Sequence, residues 1–230
     1  MRNFPAAVAD AMIRTQPPPP VHRPCVSVLF LDVAGFSQLR ASLPPVAVLG
    51  LLERLSRALD ALAAQHGVER VDMVDGCYIA AANFSARQPA DHALRLARFA
   101  LAALAAATTT AVDAARPGLG AVRLLGGMDC GAVCGRVVGA HGGLKHTLHG
   151  HAVNVASRMG SHGAAGAVQC SAAAAAAIGA QGGCGGEGLR VTRRAGDVEV
   201  KGLGRMATFW LSSPAGGAPA VTLEPTPAAG

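Results

Sequence analysis

Apolar residues recur with two different periods along this chain, and the period distinguishes predicted strands from predicted helices. A continuous apolar run at 26–32 predicts a buried strand. Between 46 and 66, leucine and valine recur every three or four residues, which predicts an amphipathic helix that opens with two prolines. Similar patterns predict helices at about 90–114 and 151–160. Long helices therefore alternate with strands.

A hairpin is predicted around Asp75-Gly76, a dipeptide typical of two-residue turns, because apolar segments at 68–74 and 77–82 flank it. Strands followed by helices, with hairpins between them, indicate an α+β fold whose mixed sheet is covered on one face by helices. The remaining predicted elements are strands at 122–128, 132–138, 168–170, 189–194, 197–201 and 206–211, a turn at 129–131 and a short helix at 171–178.

The length of the chain fits one domain with a tail at each end. Its 230 residues exceed what a single domain of about 150–200 residues needs. We expect a disordered, proline-rich tail or linker at 1–24, a folded domain at 25–212, and a disordered tail at 213–230.

Composition limits the classes of partner. The net charge of +6 suits an anionic ligand, but the basic residues are scattered and aromatic residues make up only 3%, so we do not expect nucleic-acid binding. The six cysteines include no CxxC pair, which favours free thiols in a reducing compartment. No segment predicts a membrane span or a signal peptide. We expect a cytoplasmic chain without membrane insertion of its own, or the cytosolic part of a larger membrane or multidomain protein.

Asp32 is the first candidate for chemistry. It ends the apolar strand and precedes a turn at Gly35, where the amides of Phe36 and Ser37 could face an anion at the start of the next helix. A carboxylate fixed there could hold a metal ion against a phosphate. The same position also suits a residue that caps the helix, and the segment alone does not choose between the two.

A second candidate set lies towards the C-terminus. Asn154 and Arg158 are four residues apart and so share one helix face. The amide could orient a ribose oxygen and the guanidinium could neutralise phosphoryl charge, although an isolated pair is more often a polar surface stripe. Lys201 ends a predicted strand beside a glycine-bracketed turn, where it could bind phosphate or simply face solvent.

Four motifs in order make the chain resemble a known family. LFLDVAGFS, VERVDMVDGCY, KHTLHGHAVNVASRM and VEVKGLGRMATFWL resemble, over about 25–212, the catalytic domain of class III nucleotide cyclases, the adenylate and guanylate cyclases. The last motif looks most like that of eukaryotic guanylate cyclases.

The resemblance implies a ferredoxin-like mixed sheet with helices packed on it, acting as a homodimer or as a heterodimer with a related cyclase domain. It implies a head-to-tail arrangement in which Mg²⁺ or Mn²⁺, two ions per site, help the ribose 3′-hydroxyl to attack the α-phosphate and release pyrophosphate. Matched residue by residue, it implies a metal ligand at Asp32, a triphosphate-binding turn at Phe36 and Ser37, a ribose-orienting Asn154, a transition-state Arg158 and a phosphate-binding Lys201.

The chain departs from the family pattern at the hairpin and at the base-selecting positions. The family's second metal aspartate follows a glycine, whereas here Asp75 precedes Gly76, and a shift of one residue in a strand reverses the side-chain direction. Whether Asp75 still binds metal is left open. Asp72 stands where guanylate cyclases have Glu and adenylate cyclases have Lys. Thr147 stands where guanylate cyclases have Cys and adenylate cyclases usually have Asp.

A carboxylate at position 72 favours guanine, because guanine presents N–H donors where adenine has a bare ring nitrogen. The sequence therefore predicts a guanylate cyclase that converts GTP to 3′,5′-cyclic GMP. The alternatives are an adenylate cyclase acting on ATP, or a catalytically impaired nucleotide-binding regulatory subunit that results from the Asp75-Gly76 order.

Overall fold

The computed structural model describes residues 20–138, 145–183 and 189–213. The predicted tails lie almost wholly outside these residues, but the first strand begins at Val21, before the boundary expected at residue 25. The described α-helices are α1 (Phe36–Ser42), α2 (Pro45–His66), α3 (His92–Ala107), α4 (His151–Ser161) and α5 (Ala172–Ala180), and a 3₁₀ helix covers Pro117–Leu119. The described strands are β1 (Val21–Val33), β2 (Glu69–Val74), β3 (Cys77–Ala82), β4 (Leu124–Val138), β5 (Lys145–His149), β6 (Val168–Ser171), β7 (Arg190–Arg193), β8 (Val198–Val200), β9 (Gly204–Met206) and β10 (Thr208–Ser212).

The α+β fold class is confirmed: the main sheet has the order β2-β3-β1-β4-β6-β10-β7, with β5 paired to the far part of β4. Its pairs are antiparallel except β4 with β6, so the sheet is mixed. The prediction of two strands separated by a turn at 129–131 is wrong. Asp129, Cys130 and Gly131 pair with β1 without interruption, and this continuous pairing makes β4 one long strand.

Helices cover both faces of the sheet, so the expectation of one covered face is also wrong. Helices α2, α3 and α5 bury their apolar sides against the face that carries Leu29 and Leu31 of β1. Helix α4 packs through Ala152 and Ala156 against the opposite face. Helices on both faces explain the continuous apolar run of β1, because a strand buried on both faces does not alternate between apolar and polar residues.

Helix α4 approaches the sheet closely at Gly127. A Cβ atom on Gly127 would lie 1.9 Å from the backbone nitrogen of Gly160 and 2.2 Å from the carbonyl oxygen of Ala156. Only a residue without a side chain allows this approach. Glycine at 127 therefore sets the distance between α4 and the sheet.

The small two-stranded sheet of β8 and β9 packs on the other side of α4. Val200 is fully buried and forms an apolar cluster with Val155 and Met159 of the helix. The hairpin is thereby fixed to α4 rather than to the main sheet.

Neither disulfides nor membrane spans shape the described part of the chain. The described cysteines, Cys25, Cys77, Cys130, Cys134 and Cys170, are free. Cys130 and Cys134 are both β4 residues. Within the described ranges no helix combines the length and apolar character needed to cross a membrane.

Candidate active site

A cleft of about 510 Å³ opens where β1 ends, α1 begins and the β2–β3 hairpin turns. We call it the carboxylate cleft, because Asp32 and Asp75 both line it. Phe36, Ser37 and Arg40 of α1 complete its chemistry-bearing wall. The structure thus brings Asp32, the Phe36–Ser37 turn and Asp75 to one place.

Asp32 is half-buried and does not cap α1. The N-cap residue of that helix is Gly35, in the left-handed conformation, and no side chain caps it, so the helix-cap interpretation is wrong. Asp32 pairs with Cys77 of the neighbouring strand β3. Burial, followed by the charge of Asp32, raises the pKa of Cys77, so the thiol beside this carboxylate stays protonated.

The hairpin turn at Asp75 and Gly76 explains the departure from the family pattern. Both residues have positive φ, 48° and 79°, which confirms the predicted two-residue turn. A Cβ atom on Gly76 would lie 2.7 Å from Cγ of Phe36, so the aromatic ring occupies the space that a side chain at 76 would need. The acidic group stands at 75 instead.

Asp75 projects into the cleft with 80% of its side chain exposed. Its Oδ1 lies 3.6 Å from Nη1 of Arg40, whose side chain is 62% exposed. An exposed pair of this length contributes at most about 1 kcal/mol to stability. Neither partner is therefore committed to the other.

The polar face of α4 forms a second candidate surface. Asn154 and Arg158 are exposed while Val155 and Met159 are buried, so the helix presents the amide and the guanidinium together. Within the described residues neither polar side chain makes a hydrogen bond or ion pair, which leaves both available to a ligand. Lys201 is exposed in the turn directly after β8, one residue beyond the fully buried Val200 that packs on α4. We call Asn154, Arg158 and Lys201 the α4 face.

The two base-selecting candidates lie on strands that contact each other, β2 and β5. Asp72 is half-buried beside an irregularity in the β2–β3 pairing, and its Oδ1 accepts a hydrogen bond of 2.8 Å from the amide of Met73. Thr147 donates its hydroxyl to the carbonyl oxygen of Arg136 at 3.1 Å. Both side chains are thus held by local hydrogen bonds.

One chain does not bring the carboxylate cleft and the α4 face together. A Cβ atom on Gly160 would lie 3.4 Å from Oδ2 of Asp32, so the sheet-facing side of α4 lies against that carboxylate at Gly160. Arg158 is two residues earlier, which rotates it by about 200° around the helix, and it faces solvent. Each chain therefore offers two half-sites that point in different directions.

Sequence reasoning missed Arg40, which lines the cleft, and Cys77, which pairs with the cleft residue Asp32. Arg40 lies four residues after Phe36, so the spacing alone places it on the same face of α1. Cys77 could be found only through the pairing of β1 with β3, because no local pattern sets it opposite Asp32.

Comparison with known proteins assigns the family. The sequence profile described as "Adenylate and Guanylate cyclase catalytic domain" matches residues 20–213. The chain belongs to this family. Similar proteins include rat (Rattus norvegicus) atrial natriuretic peptide receptor 2, 33% identical over 186 residues, and an adenylate cyclase of Mycobacterium tuberculosis, 33% identical over 185 residues.

The cyclase domain also resembles solved structures of the family. The guanylate cyclase domain of RhGC from Catenaria anguillulae, determined in complex with GTP, superposes with a TM-score of 0.74 at 26% identity, covering 84% of this chain and 98% of that one. The match with the rat receptor spans 81% of this chain but only 17% of the receptor. The match with the mycobacterial enzyme spans 80% of this chain and 39% of the enzyme. It is a nucleotide cyclase catalytic domain that corresponds to part of each relative.

Proposed function

We propose that this cyclase domain converts GTP to 3′,5′-cyclic GMP and pyrophosphate in a dimer. The observation that carries the proposal is the presence of two complementary half-sites, the carboxylate cleft and the α4 face, on one chain of this family. In the reaction the ribose 3′-oxygen forms a bond to the α-phosphorus and loses its proton. The bond from the α-phosphorus to the bridging oxygen breaks, and pyrophosphate leaves with the electron pair.

The directions of the half-sites support a dimer. Asp32 lies under the sheet-facing side of α4, whereas Arg158 points away from it, so a second chain is needed to set the α4 face opposite the carboxylate cleft. Homologous cyclase domains act on nucleotides as dimers. A head-to-tail pair would form two equivalent sites, and a related cyclase domain in place of the second copy would form a heterodimer.

The residues of the carboxylate cleft fit a divalent cation. Members of this family generally use divalent metals. Asp32 and Asp75 supply oxygen ligands, and Mg²⁺ is commonly bound by one or two carboxylates together with substrate phosphates. The described residues contain no cluster of three or more His, Cys, Asp or Glu that could hold a metal by themselves, so phosphate oxygens would complete the coordination. When bound, Mg²⁺ or Mn²⁺ supplies Lewis acidity at the 3′-hydroxyl and charge neutralisation at the triphosphate.

Residues of both half-sites then have separate tasks. The amides of Phe36 and Ser37 and the Lys201 ammonium bind the triphosphate. Asn154 orients the ribose by hydrogen bonding, and Arg158 stabilises charge that develops on the phosphoryl oxygens in the transition state. The absence of hydrogen-bond partners for Asn154 and Arg158 within the described residues supports this division.

The preference for GTP rests on Asp72. Its carboxylate can accept hydrogen bonds from the N1 and N2 hydrogens of guanine, whereas adenine presents a bare ring nitrogen there. Because Oδ1 also accepts a hydrogen bond from the Met73 amide, we expect the preference for guanine to be moderate rather than absolute. Thr147 accepts either base.

The test is cyclic-nucleotide formation by the purified protein with GTP or ATP at equal concentration and Mn²⁺ present. We expect cyclic GMP as the main product, and Arg158→Ala should lower kcat at least about 100-fold. Ser157→Ala, an exposed neighbour on the same helix, is the matched control and should leave kcat unchanged. A folded dimer that forms neither product would refute the proposal. If cyclic AMP is the main product, the substrate is ATP rather than GTP.

A second function, a nucleotide-binding regulatory subunit with impaired catalysis, is favoured by one observation. Asp75 is exposed at the tip of a turn, and Phe36 fills the space beside Gly76. Asp75→Asn separates the two cases: if Asp75 is a metal ligand, Mn²⁺ affinity measured by calorimetry falls together with turnover. If the wild type binds GTP without turnover and Asp75→Asn leaves Mn²⁺ affinity unchanged, the regulatory function is correct.

A further inference from the structure

Arg40 stands in the carboxylate cleft without a role in the mechanism described above. Among the described residues that line this cleft it is the sole cation. Its position is fixed from both sides, because Phe36 and Leu39 of the same helix pack against the main core. The guanidinium therefore starts from an anchored backbone and reaches the cleft through a flexible, exposed side chain.

Arg40 pairs with Asp75, the carboxylate that stands one residue before the position expected from the family pattern. Asp75 and Arg40 form a long, exposed ion pair at 3.6 Å, which leaves most of the donor capacity of the guanidinium unused. A triphosphate offers several oxygens in the bidentate geometry that guanidinium groups prefer. Phosphate binding would therefore compete effectively with this pair.

Arg40 is the one source of positive charge among the described residues that line the cleft, so attraction of a triphosphate by the protein depends on it there. Two carboxylates and one guanidinium line it, so one negative charge is locally compensated before any ligand arrives. While Asp75 pairs with Arg40, Asp32 is the carboxylate in the cleft that has no cationic partner among the described residues. A triphosphate in the cleft would meet the positive charge of the flexible Arg40 side chain beside the turn of α1.

We propose that Arg40 is a substrate-binding residue that contacts the triphosphate of the nucleotide, supplying positive charge on the side of the cleft where Asp75 stands. This inference rests on the proposed function for the identity of the ligand. Arg40 then neutralises part of the triphosphate charge, in addition to the divalent metal. Triphosphate binding should consequently persist in part when divalent metal is removed.

The test is calorimetric titration of the full chain with inorganic tripolyphosphate and with a non-hydrolysable GTP analogue, both in EDTA. We expect Arg40→Ala to weaken both about tenfold, the equivalent of about 1.4 kcal/mol, and Arg40→Lys to weaken them less. Asp75→Asn should bind tripolyphosphate at least as tightly as the wild type, because it releases Arg40. Arg87→Ala is the matched control, since Arg87 is exposed beyond the opposite end of β3, about 20 Å of strand away from the Asp75 turn.

The results separate this inference from the proposed function. If Arg40→Ala binds tripolyphosphate within twofold of the wild type while the wild type forms cyclic nucleotide, Arg40 only pairs with Asp75 and the inference is wrong. If the wild type forms no product but its metal-free binding depends on Arg40, the inference holds and the catalytic proposal fails. If the wild type binds neither probe in EDTA yet forms cyclic nucleotide with Mn²⁺, this inference is wrong and the catalytic proposal stands.

Discussion

Replacement of Gly127 by alanine should separate helix α4 from the sheet. The added Cβ atom would stand 1.9 Å from the Gly160 nitrogen and 2.2 Å from the Ala156 oxygen. Both are backbone atoms within a helix, so no side-chain rotation relieves the overlap. Helix α4 or strand β4 must move as a unit.

The size of the effect follows from these distances. Ordinary van der Waals contact begins near 3.4 Å, so the backbones must separate by about 1.5 Å. A gap of about 0.5–1 Å already removes about a quarter to a half of the dispersion energy of each contact. Overpacking typically lowers the free energy of unfolding by about 1–3 kcal/mol. We expect Gly127→Ala to lower the free energy of unfolding by about 3 kcal/mol. Since α4 carries Asn154 and Arg158, a shift of about 1.5 Å should also lower kcat by at least about 100-fold.

Urea unfolding followed by circular dichroism measures the first effect, and cyclic-nucleotide formation well below the melting temperature measures the second. Gly131→Ala is the matched control on the same strand, because its Cβ atom would meet only the Ala152 methyl group, at 3.2 Å. We expect it to change stability by less than about 1 kcal/mol. If Gly127→Ala is as stable and as active as Gly131→Ala, α4 does not pack as described.

The remaining predictions concern the core and one buried carboxyl group. Leu59→Ala should lower the free energy of unfolding in urea by about 2–5 kcal/mol because Leu59 is fully buried, whereas Leu49→Ala, 58% exposed, should change it by less than about 0.5 kcal/mol. Tyr78→Phe removes the 2.8 Å hydrogen bond to Asp60 and should cost about 1–2 kcal/mol; an unchanged urea midpoint would contradict that bond. Burial raises the pKa of Asp129, so its contribution to stability is complete below the unfolded-state pKa and is lost as pH rises through the raised value. In urea titrations across that window the stability of wild type relative to Asp129→Asn should fall as pH rises, and a rise would show that the pKa is lowered instead.

Most of the helices and strands could be predicted from the sequence, because the residue patterns that indicate them lie within short segments. Helical spacing predicted the helix at 46–66, which the structure has at Pro45–His66. Asp75-Gly76 predicted a turn that needs positive φ at both positions, and both have it. The spacing of Asn154 and Arg158 predicted their shared helix face, since residues four apart lie above one another.

The errors arose where pairing or packing between distant segments decides the outcome. The segment 129–131 contains a glycine and reads as a turn, but pairing with β1 over the whole segment keeps β4 extended. No periodicity distinguishes one sheet face from the other, so the position of α4 opposite the other long helices could not be predicted. The close approach of Gly127 to Gly160, which helps to place α4 on that second face, joins residues 33 positions apart.

The candidate site divides in the same way. The sequence by itself predicted which side chains would carry the chemistry, Asp32, Asn154, Arg158 and Lys201, because motifs of fixed spacing contain them. Only the tertiary structure decided which groups meet: the Cys77 thiol on Asp32, the Phe36 ring beside Gly76, and Arg40 opposite Asp75. Strand pairing and the turn between strands bring these residues together, and such contacts depend on free energies of packing that no short window of sequence contains.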